Sequence, residues 1–186
     1  LLDPIQQLAQ QGIDFLINLS ASPYAMGKQK YRDSLLTKTA LRQHAPLVYV
    51  NLVGGNDDLI FDGASTVVNA QGEVCLKLKS FSEDLAIVDL KKLRPQSPRK
   101  ENELEEVHQA LVLGIRDYMQ KTKFEKVVMG LSGGIDSSLV ALLATEAVGA
   151  KNVLGVSLPS PFSSKGSLEH AQALVKKLGI RYRIIP

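Results

Sequence analysis

An apolar run of strand length, Val127-Val-Met-Gly-Leu131, passes directly into Ser132-Gly-Gly-Ile-Asp-Ser-Ser138 and then into a helical pattern. A strand that ends on a glycine pair and restarts as a helix belongs to open α/β sheets, where small molecules bind at the carboxyl ends of strands. Gly133 and Gly134 carry no side chain to hold an anion away, so backbone N–H groups can face its oxygens. The helix dipole adds partial positive charge at the same place, and Ser132, Ser137 and Ser138 add hydroxyls. A plain helix start, with Asp136 or Ser137 capping backbone N–H groups, would use the same residues, and the two roles are compatible. No Gly-Lys-Ser/Thr follows, so this is not the Walker pattern, and the third glycine of the dinucleotide fingerprint is missing. Asp136 would repel a phosphate unless a cation intervened. Mg²⁺ commonly bridges a carboxylate and phosphates, which makes Asp136 the expected metal ligand.

The surrounding elements agree with that setting. A helix from about Glu103 to Lys121, a strand from Lys126 to Leu131, a helix from about Ser137 to Val148, a strand from Asn152 to Leu158, a helix from about Lys165 to Leu178 and a strand from Ile180 to Ile185 alternate. Such alternation predicts a doubly wound parallel sheet. Upstream, Asp3-Pro4 predicts a capped helix that stops near Gly12, followed by a strand at Asp14–Asn18, a helix at Gln29–Gln43 and a buried strand at Leu47–Leu52. A hairpin is expected across Gln71-Gly72, with Leu85–Leu90 as a third consecutive strand. Between Lys91 and Asn102 the chain is charged, carries two prolines and has almost no apolar residue, as linkers do. The expected division is therefore 1–92, a linker at 93–102, and 103–186.

Bulk properties exclude more than they select. The chain has 186 residues, 45% of them hydrophobic, enough for one sizeable core or two small ones. A net charge of +3, from 22 basic and 19 acidic residues, is too small and scattered to call for nucleic acid or an anionic membrane. The single cysteine, Cys75, cannot close an internal disulfide, and no apolar run is long enough to span a bilayer. A cytoplasmic setting is expected. Cys75 reads as a buried structural residue. Asp57, Asp58 and Asp62 could suggest a metal cluster, but Gly54-Gly55 and Gly63 around them speak for turns. His44, His108 and His170 fall in helical stretches with no partner pattern.

The Ser-Gly-Gly-x-Asp-Ser motif at Ser132–Ser137 resembles the ATP-pyrophosphatase (PP-loop) family, whose members activate substrates with ATP and release pyrophosphate. The loop is shared among amidotransferases and tRNA-thiolating enzymes, so other segments must choose between them. Ala110–Tyr118, Val127–Ser138 and Leu158-Pro-Ser-Pro-Phe-Ser-Ser-Lys-Gly-Ser167 resemble the synthetase half of glutamine-dependent NAD synthetases. Asn18–Tyr24, with Gly27-Lys28 and Arg32, and Asn51–Gly63 resemble the nitrilase-type glutaminase half. Small departures occur at Leu52, Asp58 and Leu158, where the family more often has Gln, Glu and Met.

The resemblance implies a partial nitrilase-like α/β domain followed by a partial Rossmann-like PP-loop domain, from a carbon–nitrogen ligase that amidates deamido-NAD with ammonia from glutamine. ATP and Mg²⁺ are the implied cofactors, deamido-NAD and glutamine the partners, and a homo-oligomer is expected, with neither nucleic acid nor membrane involved. Gly130, Leu131, Ser132, Gly133, Gly134, Ile135, Asp136, Ser137, Ser138 and Leu158 are the expected ATP-binding residues. The 158–164 loop could border the ATP site, or Ser163 or Ser164 could simply cap the next helix. Ser20, Ser22 and Arg32 could hold glutamine, Arg32 through its carboxylate, or could only order their loop. The family's Glu, Lys and Cys triad lies before the matching segment, so no glutaminase nucleophile is assigned, and the sequence reads as an internal fragment incomplete for either reaction. Two rivals remain: another PP-loop enzyme, of amidotransferase or tRNA-thiolating type, and a non-catalytic ATP-binding module.

Overall fold

A computed structural model describes residues 3–97, 102–159 and 165–185. The chain divides into two units: Leu1–Gly54 with Asp58–Ala110, and Gly55–Asp57 with Leu111–Pro186.

In the first unit, helix α1 (Pro4–Ala9) starts as its sequence requires: Asp3 accepts from the Ile5 and Gln6 N–H groups, and proline occupies the first turn. The Gln6 N–H holds the Asp3 carboxyl below its ordinary range. Strand β1 (Leu16–Ser20) lies two residues beyond the expected Asp14–Asn18. It pairs in parallel with β2 (Leu47–Asn51) through helix α2 (Lys28–Gln43). The outer face of β1 is open, with Ile17 and Leu19 both well exposed. Alternation along β2 sends Leu47 and Tyr49 toward Leu36 and Ala40 of α2 and toward Val68, which together form a buried cluster. Full burial of an aliphatic side chain such as Val68 contributes roughly 1.5–3 kcal/mol.

Next comes a hairpin that was not foreseen. Strands β3 (Val53–Asn56) and β4 (Leu59–Asp62) pair across a two-residue turn at Asp57-Asp58, with Asp57 at φ 50°. Gly54 and Gly55 therefore sit in a strand, where sequence reasoning placed a turn, although Gly54 keeps a positive φ of 130°; the left-handed residue of the turn itself is Asp57, a type that tolerates this conformation. Strands β5 (Thr66–Val68) and β6 (Val74–Lys77) form the expected antiparallel hairpin, with a register shift at Val67/Val68, and complete a mixed sheet of order β1-β2-β5-β6. The third strand expected at Leu85–Leu90 does not form. Leu85 and Ile87 are almost wholly exposed and no ladder reaches them; the stretch ends in a short 3₁₀ turn, Leu90–Lys92, capped by Asp89. An apolar run without a partner strand is only a run.

Helix α3 (Glu103–Lys121) follows, and its residues from Leu111 onward group with the second unit. There β7 (Val127–Gly130), α4 (Ile135–Val148), β8 (Val153–Ser157), α5 (Lys165–Leu178) and β9 (Arg181–Ile184) build the expected parallel sheet of order β7-β8-β9. Its core joins Leu131, Ala141, Ala144, Val153, Ala171 and Ile180. The same unit contains Gly55, whose N–H donates to Asp117 Oδ2 at 2.7 Å and whose carbonyl accepts from Lys121 Nζ. Among the described residues, no helix is long and apolar enough to cross a membrane.

Candidate functional site

The phosphate-type loop is set from beneath by the sheet. Past the end of β7, Leu131 is buried and its N–H donates to the Val156 carbonyl at 2.8 Å. Its own carbonyl accepts from the buried Ser157 hydroxyl at 2.6 Å, and that hydroxyl accepts from Tyr182 at 2.7 Å. Three neighbouring strands thereby fix the peptide from which the loop departs. Gly155 makes room for this: a Cβ there would collide with Leu131 Cδ1.

Above it, Gly133 adopts φ 81°, and a Cβ at that position would strike the Ser167 carbonyl of α5. Both facts demand glycine. Gly134 is the N-cap of α4 and offers no side-chain cap to the first turn. The helix start is thus not one capped by Asp136 or Ser137. Instead the Ser137 and Ser138 hydroxyls donate to the Gly134 carbonyl, at 3.1 and 2.8 Å, and Ser132 Oγ accepts the Gly134 N–H at 3.2 Å while lying 3.1 Å from Ser137 Oγ. These bonds fold the loop upon itself and leave the unflanked start of α4 as its electropositive feature.

A cavity of about 460 Å³ opens beside the loop at the carboxyl ends of β7 and β8, a size typical of small-ligand sites. Gly130, Leu131, Ser132, Ser157, Leu158 and Ser167 are among its lining residues. Of the expected ATP-binding set, Gly130, Leu131, Ser132 and Leu158 therefore meet at this cavity. Gly133, Gly134, Ser137 and Ser138 shape the adjoining helix start, whereas Ile135 is 81% exposed on the first turn of α4. Asp136 is exposed on the same turn. No group of three potential metal ligands occurs among the described residues, and Asp136 is a single exposed carboxylate there. Residues 160–164, including Ser163 and Ser164, lie outside the described residues.

The expected glutamine-binding residues occupy the first unit. Ser20 Oγ donates to Asn18 Oδ1 at 2.6 Å. The Arg32 fork, read as a possible receptor for a substrate carboxylate, is engaged by Asp62: Nη1 donates to Oδ2 and Nη2 to Oδ1, each at 3.0 Å, with both side chains buried. The guanidinium also lies 5.6 Å from the Tyr49 ring centroid. Asp62 is thus far from solvated, while Asp57 and Asp58 form the β3–β4 turn, and the three carboxylates do not converge.

Two residues of this region lie within the segments of resemblance but were given no role there. Asn51 grips the main chain of Ser22, and Lys28, at the start of α2, donates to the Pro23 carbonyl at 2.8 Å. The parallel pairing of β1 with β2, which sets Ser20 opposite Asn51, was the available signal for the first. Cys75 is buried, and burial raises its thiol above the ordinary range, in keeping with a structural residue.

Comparison with known proteins places both units. Residues 4–97 match the carbon-nitrogen hydrolase model and residues 107–186 the NAD synthase model. The glutamine-dependent NAD(+) synthetase of Synechocystis sp. is 49% identical over all of this chain and 34% of its own length; that of Thermotoga maritima is 44% identical over 95% of this chain and 37% of its own. The structure of the glutamine-dependent NAD+ synthetase from Acinetobacter baumannii, solved in complex with adenosine diphosphate, superposes with a TM-score of 0.90 at 39% identity, covering 97% of this chain and 35% of that one. The chain spans about a third of the length of the relatives it matches.

Proposed function

We propose, from the premise that this chain belongs to the glutamine-dependent NAD(+) synthetase family and carries its carbon-nitrogen hydrolase and NAD synthase segments, that the whole protein is a ligase converting deamido-NAD to NAD. ATP adenylates the nicotinate carboxylate, pyrophosphate leaves, and ammonia released from glutamine displaces AMP. The observation that carries this reading is the Ser132–Ser138 loop, in which Gly133, where a Cβ would strike the Ser167 carbonyl, leads into a helix start beside a cavity at the strand ends.

Each residue has a distinct task in that scheme. The first N–H groups of α4 would receive the departing pyrophosphate, where the helix dipole favours developing negative charge. Leu131, locked by Ser157, would fix where those donors point. Gly130 and Leu158 would flank the nucleotide. Asp136 would hold Mg²⁺, which supplies charge neutralisation between phosphate oxygens when bound. Ser22, on the loop after β1, and Lys28, at the start of α2, would face the glutamine substrate in the other half. Residues 93–102 would join the halves, a placement supported by one family match ending at 97 and the next beginning at 107. The single cysteine and the dependence on ATP support a cytoplasmic setting, and we expect a homo-oligomer.

The test is pyrophosphate release by the full-length protein given ATP, Mg²⁺ and deamido-NAD. Release that depends on deamido-NAD supports the reading. Silence with deamido-NAD but release with another acceptor would favour a different PP-loop enzyme, and ATP binding without cleavage a regulatory module. For the metal, Asp136→Asn should shift the Mg²⁺ dependence of turnover to higher concentration; an unchanged dependence removes Asp136 from the metal site.

A further inference from the structure

The geometry points to Asn51 and Asp62 as positioning residues that set the glutamine-facing loop through a buried relay, Arg32–Asp62–Asn51–Ser22. This inference rests on the glutaminase role proposed for the first unit. Asn51 holds both main-chain groups of Ser22: its Oδ1 accepts the Ser22 N–H at 2.9 Å, and its Nδ2 donates to the Ser22 carbonyl at 3.3 Å. An amide is the side chain suited to that double task, since a carboxylate lacks the donor. Which end of the amide faces which group is decided one step further in. Asp62 Oδ1 accepts from Asn51 Nδ2 at 3.1 Å, and an acceptor-only carboxylate there compels the nitrogen to that side.

Asp62 is in turn held by both terminal nitrogens of Arg32, and Gln29 Oε1 accepts from Arg32 Nη1 at 2.8 Å. The main chain of Asn51 is pinned as well, its N–H donating to Ser65 Oγ at 3.0 Å. Gln29, Arg32, Asn51 and Asp62 are all buried at 7% exposure or less, so water cannot substitute for a lost partner. Arg32, on this account, anchors the relay and does not contact substrate. The relay ends on the Ser22-Pro23 peptide, whose Pro23 carbonyl also receives Lys28. Through it, the buried charge pair decides where Ser22 and Lys28 stand.

The experiment uses the full-length enzyme and two readouts: glutamine hydrolysis, and NAD formation driven by ammonium salt in place of glutamine. Asn51→Asp should raise KM for glutamine about tenfold with kcat changed little, because it sets two carboxylates together and removes the donor to Ser22. The ammonium-driven rate should stay at the parent level. The double variant Asn51→Asp with Asp62→Asn relieves the carboxylate–carboxylate contact but still gives the Ser22 carbonyl no donor, so its KM should stay about tenfold above the parent's. An unaltered KM in Asn51→Asp, a KM restored to the parent value in the double variant, or an ammonium-driven rate that falls in step with glutamine hydrolysis would each overturn the relay. A parent enzyme that forms NAD from ammonium but never hydrolyses glutamine would instead overturn the glutaminase reading beneath it.

Discussion

The loop at Ser132–Ser138 and the loop at Ser20–Tyr24 both follow a parallel strand, yet they are held in opposite ways. The first is fixed by what it lacks: no side chain at Gly133, no side-chain cap at Gly134, and hydroxyls that bond to the loop's own backbone. The second is fixed by side chains that arrive from far along the chain, Asn51 from β2, Asp62 from β4 and Arg32 from α2. A loop of the first kind carries its turn chemistry in consecutive residues, tolerates almost no change there, and takes only its seating from Ser157 and Ser167. A loop of the second kind spreads its specification over about forty residues and fails through charge and hydrogen bonding, not through steric collision.

That contrast is open to direct attack. The largest effect is expected from Gly133→Ala, in which the methyl meets the Ser167 carbonyl at a left-handed φ. Pyrophosphate release by the full-length protein should fall by about 100-fold or more, with glutamine hydrolysis retained. Comparable losses of both activities would show that the loop is not autonomous. Next in size, Asp62→Ala strands the Arg32 charge in the interior and should cost the first unit about 3–5 kcal/mol in urea unfolding. Asp136→Ala, on an exposed helical turn, should cost no more than about 0.5 kcal/mol while weakening metal-dependent turnover. Equal stability losses for these two aspartates would erase the distinction between the loops.

Ser157→Ala withdraws the hydroxyl that holds the Leu131 carbonyl and should destabilise the second unit by about 1–2 kcal/mol. KM for ATP should rise a few-fold, and Tyr182→Phe should do less, since it leaves the Ser157–Leu131 bond in place. An ATP KM untouched by Ser157→Ala would detach the sheet from the loop. The smallest effect concerns Cys75. Burial raises its pKa, so at neutral pH the thiol stays protonated and should react with thiol reagents more slowly than an unfolded control, approaching that control only in denaturant.

What could be read in the sequence follows the same division. The strand–glycine–helix run at 127–138 declared its fold, because the turn chemistry and the hydrophobic periods sit side by side. The α5 contact that makes Gly133 obligatory is a tertiary fact, and nothing in its neighbourhood announces it. In the first unit, periodicity located α2, β2 and the β5–β6 hairpin. It promoted Leu85–Leu90 to a strand because apolar content was weighed without a pairing partner, and it passed over β3–β4 because two glycines looked like a turn. Arg32 was noticed for its chemistry and read either as a glutamine ligand or as a residue that orders its loop; only the fold reveals that Asp62, thirty positions away, already occupies its fork.

Leu131 and Gly155 occupy what is effectively one volume, since any side chain at 155 would enter the space that Leu131 fills. A Cβ at 155 requires the Leu131 side chain to turn away or to be smaller. Among proteins sharing this sheet, a bulkier residue at 155 should therefore occur chiefly where 131 has shrunk or repacked, so the two sites would tend to change together. That correlation would link a residue of the nucleotide loop to one hidden in the middle of the neighbouring strand.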